Sequence, residues 1–279
     1  MLDPSPGPTY ERRVDAVPTP DVERLRLQSQ VWEAAGRALL GELPRGLRAL
    51  DVGCGALGWL RILAEWVLPG GEVVGTESDP RLLATAQALL APAPGGEPAG
   101  NGLEHVRLVN DDPFAREQPL AAFDLVHARF QICTFGRGPD LVQRYRRLLR
   151  PGGVLVLEDP DAETWSFAPR APALDRVVAA VLRAFGELGG DFGAGERNAP
   201  LLAAAGLPPT VCRHVLRVPA HHPFLRLPLQ FATALRPRLL GFLDEGELAA
   251  LLREAERELA AGVTGTSFTL VQSWGRTPG

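Results

Sequence analysis

The stretch 50–59 reads LDVGCGALGW, and its glycines at 53, 55 and 58 have the spacing G-x-G-x-x-G. Between a strand and a helix, such glycines let a ligand come close to the backbone and to the N–H groups of the helix start. A pyrophosphate there needs those N–H groups and no carboxylate nearby. Asp51 stands two positions before Gly53, so its charge opposes a dinucleotide and favours a ligand with an ammonium or sulfonium group. S-adenosylmethionine carries both and has no phosphate. Nineteen positions after Gly58 comes Glu77, a carboxylate suited to accept hydrogen bonds from two ribose hydroxyls. The acidic pair Asp111 and Asp112 in NDDPF can accept from an adenine amino group, with an Asp-Pro turn as the plainer alternative.

Methyl transfer from a sulfonium is an in-line displacement at an activated carbon, so alignment and exclusion of water carry most of it. A base is needed only where the acceptor must lose a proton. Among the five histidines, His127 stands at a strand end beside the expected cofactor, and His222 opens a segment that can fold over it; both are candidate bases. His105 and His214 read as structural strand residues. Arg129 and Gln131 follow the same strand end and can hold a polar or anionic acceptor, a surface ion pair being the alternative for Arg129. Trp165 and Phe167 can line an apolar acceptor pocket or pack beneath a cover. Glu158, Asp159 and Asp161 offer oxygens that suit Mg²⁺, but a helix N-cap at Asp159 or Asp161 is the plainer reading, and no metal is expected.

These residues must be held on one edge, and the elements for that are readable. Short apolar runs LRALDVG, EVVGTE, HVRLVND, FDLVHAR and VLVLED alternate with the helical patterns LGWLRILAEWVL, PRLLATAQALL and LVQRYRRLL. Strands alternating with helices imply a parallel sheet covered on both faces, with ligands beyond the carboxyl ends of the strands. Ahead of them, DVERLRLQSQVWEAAGRALLGEL reads as a helix capped by Asp21. After Pro160 the rhythm changes: APALDRVVAAVLRAFGELG, PLLAAAGL, HHPFLRLPLQFATALRPRLLGFL and EGELAALLREAERELAAG read as helices, and VCRHVLRVP and TSFTLVQSW as the last two strands. The expected organisation is a flexible arm over 1–20 and one domain over 21–279, with helical cover over about 160–200 and 220–262.

The bulk numbers narrow the class. A chain of 279 residues, 46% hydrophobic and 22% charged, can build a substantial core. A net charge of −4 argues against nucleic acid as a partner. Every basic residue is arginine, which excludes lysine chemistry. The three cysteines, Cys54, Cys133 and Cys212, form no C-x-x-C pair and read as thiols in a reducing compartment. No apolar run is long enough to span a bilayer, and the first residues have no secretory pattern; a cytoplasmic protein is expected, with neither membrane nor nucleic acid as partner and a homodimer left open.

Taken together, LDVGCGALG, VVGTESDP, NDDPF, FDLVHAR and LLRPGGVLVLED resemble, in order, the motifs of the class I, seven-strand S-adenosylmethionine-dependent methyltransferases over about residues 45–160. The likeness is to members acting on small molecules such as quinones and secondary metabolites. It implies an α/β, Rossmann-like, doubly wound and mostly parallel seven-stranded sheet with an antiparallel last strand. It implies that Asp51, Gly53, Cys54 and Gly55 hold the methionine part of the cofactor and that Glu77 holds the ribose. Ser78, Asp111 and Asp112 would frame the adenine, and His127 and Ala128 would meet the amino group or flank the sulfonium. Gln28 would reach the cofactor from the first helix. Two features depart from relatives: FQICTF places Thr134 near where many carry a histidine, and no Asn/Asp-Pro-Pro-aromatic motif for amino-methylation is present. An NAD-dependent oxidoreductase, or a protein that binds the cofactor without transferring methyl, are the alternatives.

Overall fold

The computed structural model describes residues 22–90, 103–112 and 118–279; the arm over 1–20, the N-cap at Asp21 and the loop 91–102 lie outside the described residues. The first helix, α1 (Val22–Glu42), is followed by β1 (Arg48–Val52), α2 (Leu60–Trp66), β2 (Glu72–Glu77), α3 (Pro80–Leu90), β3 (Val106–Asn110) and β4 (Phe123–Arg129). Two helices, α4 (Gln131–Phe135) and α5 (Gly138–Leu148), lead to β5 (Leu149–Asp161). Beyond it come β6 (Ser166–Ala168), α6 (Pro172–Glu187), α7 (Gly195–Ala204), β7 (Thr210–His214) and β8 (Arg217–Val218). The chain closes with α8 (Leu227–Ala234), α9 (Arg236–Leu239), α10 (Glu245–Ala260), β9 (Thr264–Thr266) and β10 (Thr269–Arg276).

Seven strands form one sheet in the order β3-β2-β1-β4-β5-β10-β7. The first five run parallel, and β10 is antiparallel to both of its neighbours. Strand order reverses between β1 and β4, so the crevice for a ligand lies past their carboxyl ends. Consecutive residues of the central strands go to opposite faces, and both faces are buried. Ala49, Leu125, Val154 and Val156 pack with α1 and α2 through Leu39, Trp59 and Leu63. Leu50, Val126, Leu155 and Leu157 pack with α5 and α7 through Leu141, Tyr145 and Leu202. Continuous apolar runs rather than alternation are what a doubly covered parallel sheet demands.

The segment after β5 builds a third core around Leu174, Val177, Val181, Leu251, Ala255 and Phe268. Helix α6 docks on α10 at its start: the Glu258 carboxylate accepts from the N–H groups of Ala173 (3.0 Å) and Leu174 (2.8 Å), groups with no partner inside their own helix. Helix α10 carries a capping box between Asp244 and Glu247. Besides its helices, the cover also carries short strands. Strands β6, β9 and β8 form a second, three-stranded sheet, and the run VCRHVLRVP breaks into β7 and β8. Strands of two or three residues show no periodicity to read, and their partners are about 50 to 100 positions away in the chain, as at Val218 and Phe167, which both pair with Gly265.

Candidate active site

At the carboxyl edge of β1, β2 and β4 a cavity of about 310 Å³ opens between the sheet and the cover. The glycine loop forms its floor, with positive φ at Gly53 (66°), Gly55 (55°) and Gly58 (40°). A Cβ at Gly58 would lie 2.6 Å from Asp51 Oδ2 and 2.8 Å from the Cys54 carbonyl, so only glycine fits. At Gly55 a Cβ would have Leu25 Cδ1 at 3.9 Å as its neighbour; there the loop needs the bare backbone for whatever enters the cavity.

Behind the loop lies a buried row of charge. Asp51 Oδ2 accepts from the Trp59 N–H (2.8 Å), and Oδ1 accepts from His127 Nδ1 (2.7 Å). His127 Nε2 donates to Glu158 Oε2 (3.1 Å), and Gln272 Nε2 donates to Glu158 Oε1 (2.7 Å). The Gln272 carbonyl oxygen in turn meets His214 Nε2 at 2.7 Å. The Trp59 ring lies flat on His127, with centroids 3.8 Å apart and planes 7° from parallel. These residues continue, toward the carboxyl edge, the face whose inner positions are Ala49, Leu125 and Val156. Burial alone would lower the His127 pKa, but a carboxylate on each ring nitrogen outweighs it and holds the pKa above the ordinary value. Burial would likewise raise Glu158, and His127 and Arg129 hold it below. Asp51 and Glu158 against His127 and Arg129 make a cluster with no net charge.

Along the β2 side of the cavity stands Glu77, whose oxygens accept from the N–H groups of Gly55 (3.0 Å) and Asp79 (2.8 Å); burial pushes its pKa up. Asp111 is held by the Asp112 N–H (2.8 Å) and Gln118 Nε2 (3.2 Å). The opposite side is apolar, walled by Phe130, Phe135, Phe185, Phe192, Phe231 and Phe268. Phe192 meets Phe185, Phe231 and Phe268 edge-on, at 5.1, 5.7 and 5.8 Å between centroids. Phe130 holds φ at +58° where β4 turns into α4, a strained conformation for a bulky residue that aims its ring at the cavity.

The comparisons with known proteins agree with this geometry. A family model described as a methyltransferase domain matches residues 24–256. The chain belongs to this family. Nocamycin O-methyltransferase of Saccharothrix syringae is 35% identical over 174 residues, 58% of this chain and 59% of that protein. A demethylmenaquinone methyltransferase of Geobacillus kaustophilus is 30% identical over 112 residues, 40% of this chain and 44% of that one. The chain thus spans about half the length of these curated relatives. The crystal structure of the YcgJ protein of Bacillus subtilis shares the fold at a TM-score of 0.56 and 16% identity, covering 87% of this chain and 97% of that one.

The chain brings most of its anticipated site residues to the one cavity: Gln28, Asp51, Gly53, Cys54, Gly55, Glu77, Ser78, Asp111, His127, Arg129 and Gln131 all line it. Four are placed elsewhere. His222 caps the 3₁₀ turn Pro223–Arg226, its Nδ1 accepting from the Phe224 N–H at 3.1 Å, so it does not stand over the cofactor edge. Trp165 stacks on Phe192 at 6.0 Å and meets Phe268 at 5.7 Å, behind the wall rather than in it. Asp112 and the buried Ala128 lie beside the lining, not on it. His127 lines the cavity, but both of its nitrogens are engaged, which removes the candidate base. Asp161 does cap a 3₁₀ turn, accepting from the Glu163 N–H at 3.1 Å. Asp159 instead accepts from the Cys133 N–H (2.8 Å) and Asn198 Nδ2 (3.0 Å). Trp59, Gln272 and the phenylalanine wall were not legible, because nothing local separates a phenylalanine lining a cavity from one in a core.

Proposed function

We propose that this methyltransferase transfers the methyl group of S-adenosylmethionine to a small molecule with a large apolar body. One observation carries this reading. A glycine loop and the carboxylates of Asp51, Glu77 and Asp111 share a cavity with a wall of phenylalanines, so a polar cofactor and an apolar acceptor can meet there. The residues fit the cofactor: Gly55 leaves open the space a side chain would fill, and the carboxylates suit ribose hydroxyls, an amino group and an ammonium but oppose a pyrophosphate. When bound, S-adenosylmethionine supplies an electrophilic methyl carbon on a sulfonium.

The protein's own residues then bind, orient and dry the site. A carboxylate has about four lone-pair directions, so Glu77 keeps acceptor capacity for the ribose while Gly55 and Asp79 hold it still. Asp51 is fixed by Trp59 and His127 at the methionine end of the cavity. The phenylalanine wall excludes water and holds the acceptor in line. Free thiols at Cys54, Cys133 and Cys212 support a reducing compartment such as the cytoplasm, and a cavity lined by phenylalanines together with the acidic balance supports a small molecule over nucleic acid as partner.

Calorimetric titration with S-adenosylmethionine, S-adenosylhomocysteine and NAD tests the reading. Micromolar binding of the first two and none of NAD is expected; binding of NAD alone would overturn it. Glu77→Ala should weaken S-adenosylhomocysteine about 10- to 100-fold, the worth of one or two charge-assisted hydrogen bonds. A protein that only binds the cofactor would leave S-adenosylmethionine unconsumed with every acceptor tried.

A further inference from the structure

The acceptor's chemistry can be narrowed, on the reading above, by asking what could take a proton from it. Among the described residues lining the cavity, no side chain is placed to do so. His127 already donates from both nitrogens, and both oxygens of Asp51 are engaged. Glu77 and Asp111 are bound to backbone N–H groups and Gln118 on the side away from the phenylalanines, and Asp79 is paired with Arg81. Burial pushes the thiols of Cys54 and Cys133 well above their ordinary range, and Thr134 offers only a hydroxyl.

What does lie against the rings is positive charge. Arg24 places its guanidinium carbon 5.0 Å from the centre of Phe231, and Arg129 places its own 5.8 Å from that of Phe130. The Arg129 side chain is 9% exposed, and Nη2 donates to Ser29 Oγ at 2.8 Å. Nη1 makes no hydrogen bond among the described residues; the nearest carboxylate oxygen, on Glu158, is 3.9 Å away and already accepts from His127. A guanidinium has five N–H donors in a fixed fork, and leaving those of Nη1 unused in a buried place is costly.

We propose that the acceptor is an oxygen acid, a molecule whose nucleophilic oxygen is already an anion near neutral pH, and that Arg129 selects it. A carboxylate and a comparably acidic enol share this chemistry. One oxygen of the delocalised anion lies on Arg129. The other attacks the methyl carbon, a C–O bond forms as the C–S bond breaks, and the electron pair of that bond stays on sulfur. No proton moves, so the site needs no base.

The test uses the full chain saturated with S-adenosylhomocysteine and compares 2-naphthoate, its neutral counterpart 2-naphthamide, and 4-hydroxycoumarin as the acidic enol. At pH 7.5 an anion is expected to bind at least tenfold more tightly than the amide, and Arg129→Gln, shown to be folded by circular dichroism, should erase that margin. With S-adenosylmethionine, mass spectrometry should find one methyl ester or enol ether per S-adenosylhomocysteine, at a rate flat between pH 6.5 and 8.5. Turnover of naphthoate, of the enol or of both supports the proposal and says which acid is taken. The amide binding as tightly as both anions would overturn it, even if Arg129→Gln does not fold. Failure of S-adenosylhomocysteine to bind would instead overturn the functional reading beneath it.

Discussion

Asp51 and Asp159 are both buried aspartates at the carboxyl edge, and their neighbours put them to opposite uses. Asp51 faces a histidine whose pKa is raised toward the charged form. Asp159 is hydrogen-bonded only by neutral donors, so burial, helped by the nearby Glu158 carboxylate, pushes its pKa up to about 6 despite the hydrogen bonds from Cys133 and Asn198, which pull it down. The folded protein therefore holds this proton more tightly than the unfolded chain does. Its contribution to stability is complete below about pH 4 and is lost as pH rises through about 6. Asp159→Asn should remove that loss, worth up to about 3 kcal/mol at about 1.4 kcal/mol per unit. The amide has a partner ready, since Asn198 Oδ1 is buried without one and a flip of that side chain lets it accept. The urea midpoint of Asp159→Asn at pH 8 should equal or exceed that of the parent; a fall would mean that the ionised carboxylate is required. Nothing in the residue types separates these roles. Asp51, Glu77 and Asp111 were legible as site residues because each stands at a strand end, but a sequence does not show who faces whom, and so His127 read as a base.

At the scale of elements, the glycine turn is where residue type and backbone are most tightly joined, and two of its glycines make a contrast. Both hold positive φ, which an added side chain adopts at a cost of about 1 kcal/mol or more. At Gly58 the new Cβ also collides with Asp51 and the Cys54 carbonyl, which are fixed by the charge row and the loop. Gly58→Ala should therefore lower the melting temperature by several degrees and disturb Asp51. At Gly55 the Cβ meets only Leu25 Cδ1, at an ordinary contact distance of 3.9 Å, so Gly55→Ala should fold with a smaller loss and show its defect in cofactor affinity. Thermal melts with and without S-adenosylhomocysteine separate the two; equal melts and equal ligand shifts would mean that the space above Gly55 is not where the cofactor lies. The elements around this turn were the most readable part of the chain. EVVGTE, PRLLATAQALL and FDLVHAR coincide with β2, α3 and β4: glycine, aspartate or proline punctuates the first two, and β2 and β4 are short apolar runs of the kind a doubly covered sheet requires. Readability ends at the cover, where α8 and α9 are short and β6 and β8 have two or three residues. Those elements exist only because of partners distant in the chain.

For the whole molecule, the row Asp51–His127–Glu158–Gln272–His214 ties five strands together, from β1 at the centre of the sheet to β7 at its edge. Buried charges cost about several kcal/mol each to desolvate, and removing one member of such a set typically loses about 3–5 kcal/mol because its partner stays behind. This row couples the stability of the fold to the protonation of one residue at the site. The His127 pKa is raised in the folded state, so its stabilising share is fully present below the unfolded value of about 6.5 and is lost as pH rises through the folded value. The urea midpoint should therefore decline as pH rises above about 6.5. Cys54 and Cys133, whose pKa values burial holds well above the ordinary thiol value, do not titrate in that window. His127→Gln should lower the midpoint at pH 7 and displace the declining limb toward acid, because Asp51 and Glu158, left facing each other without the imidazolium, would then take up the proton themselves. A parent midpoint that stays level from pH 6.5 to 9 would show that His127 is not the charged link between the two carboxylates. The same cation that denies the site a base would then no longer account for its charge balance.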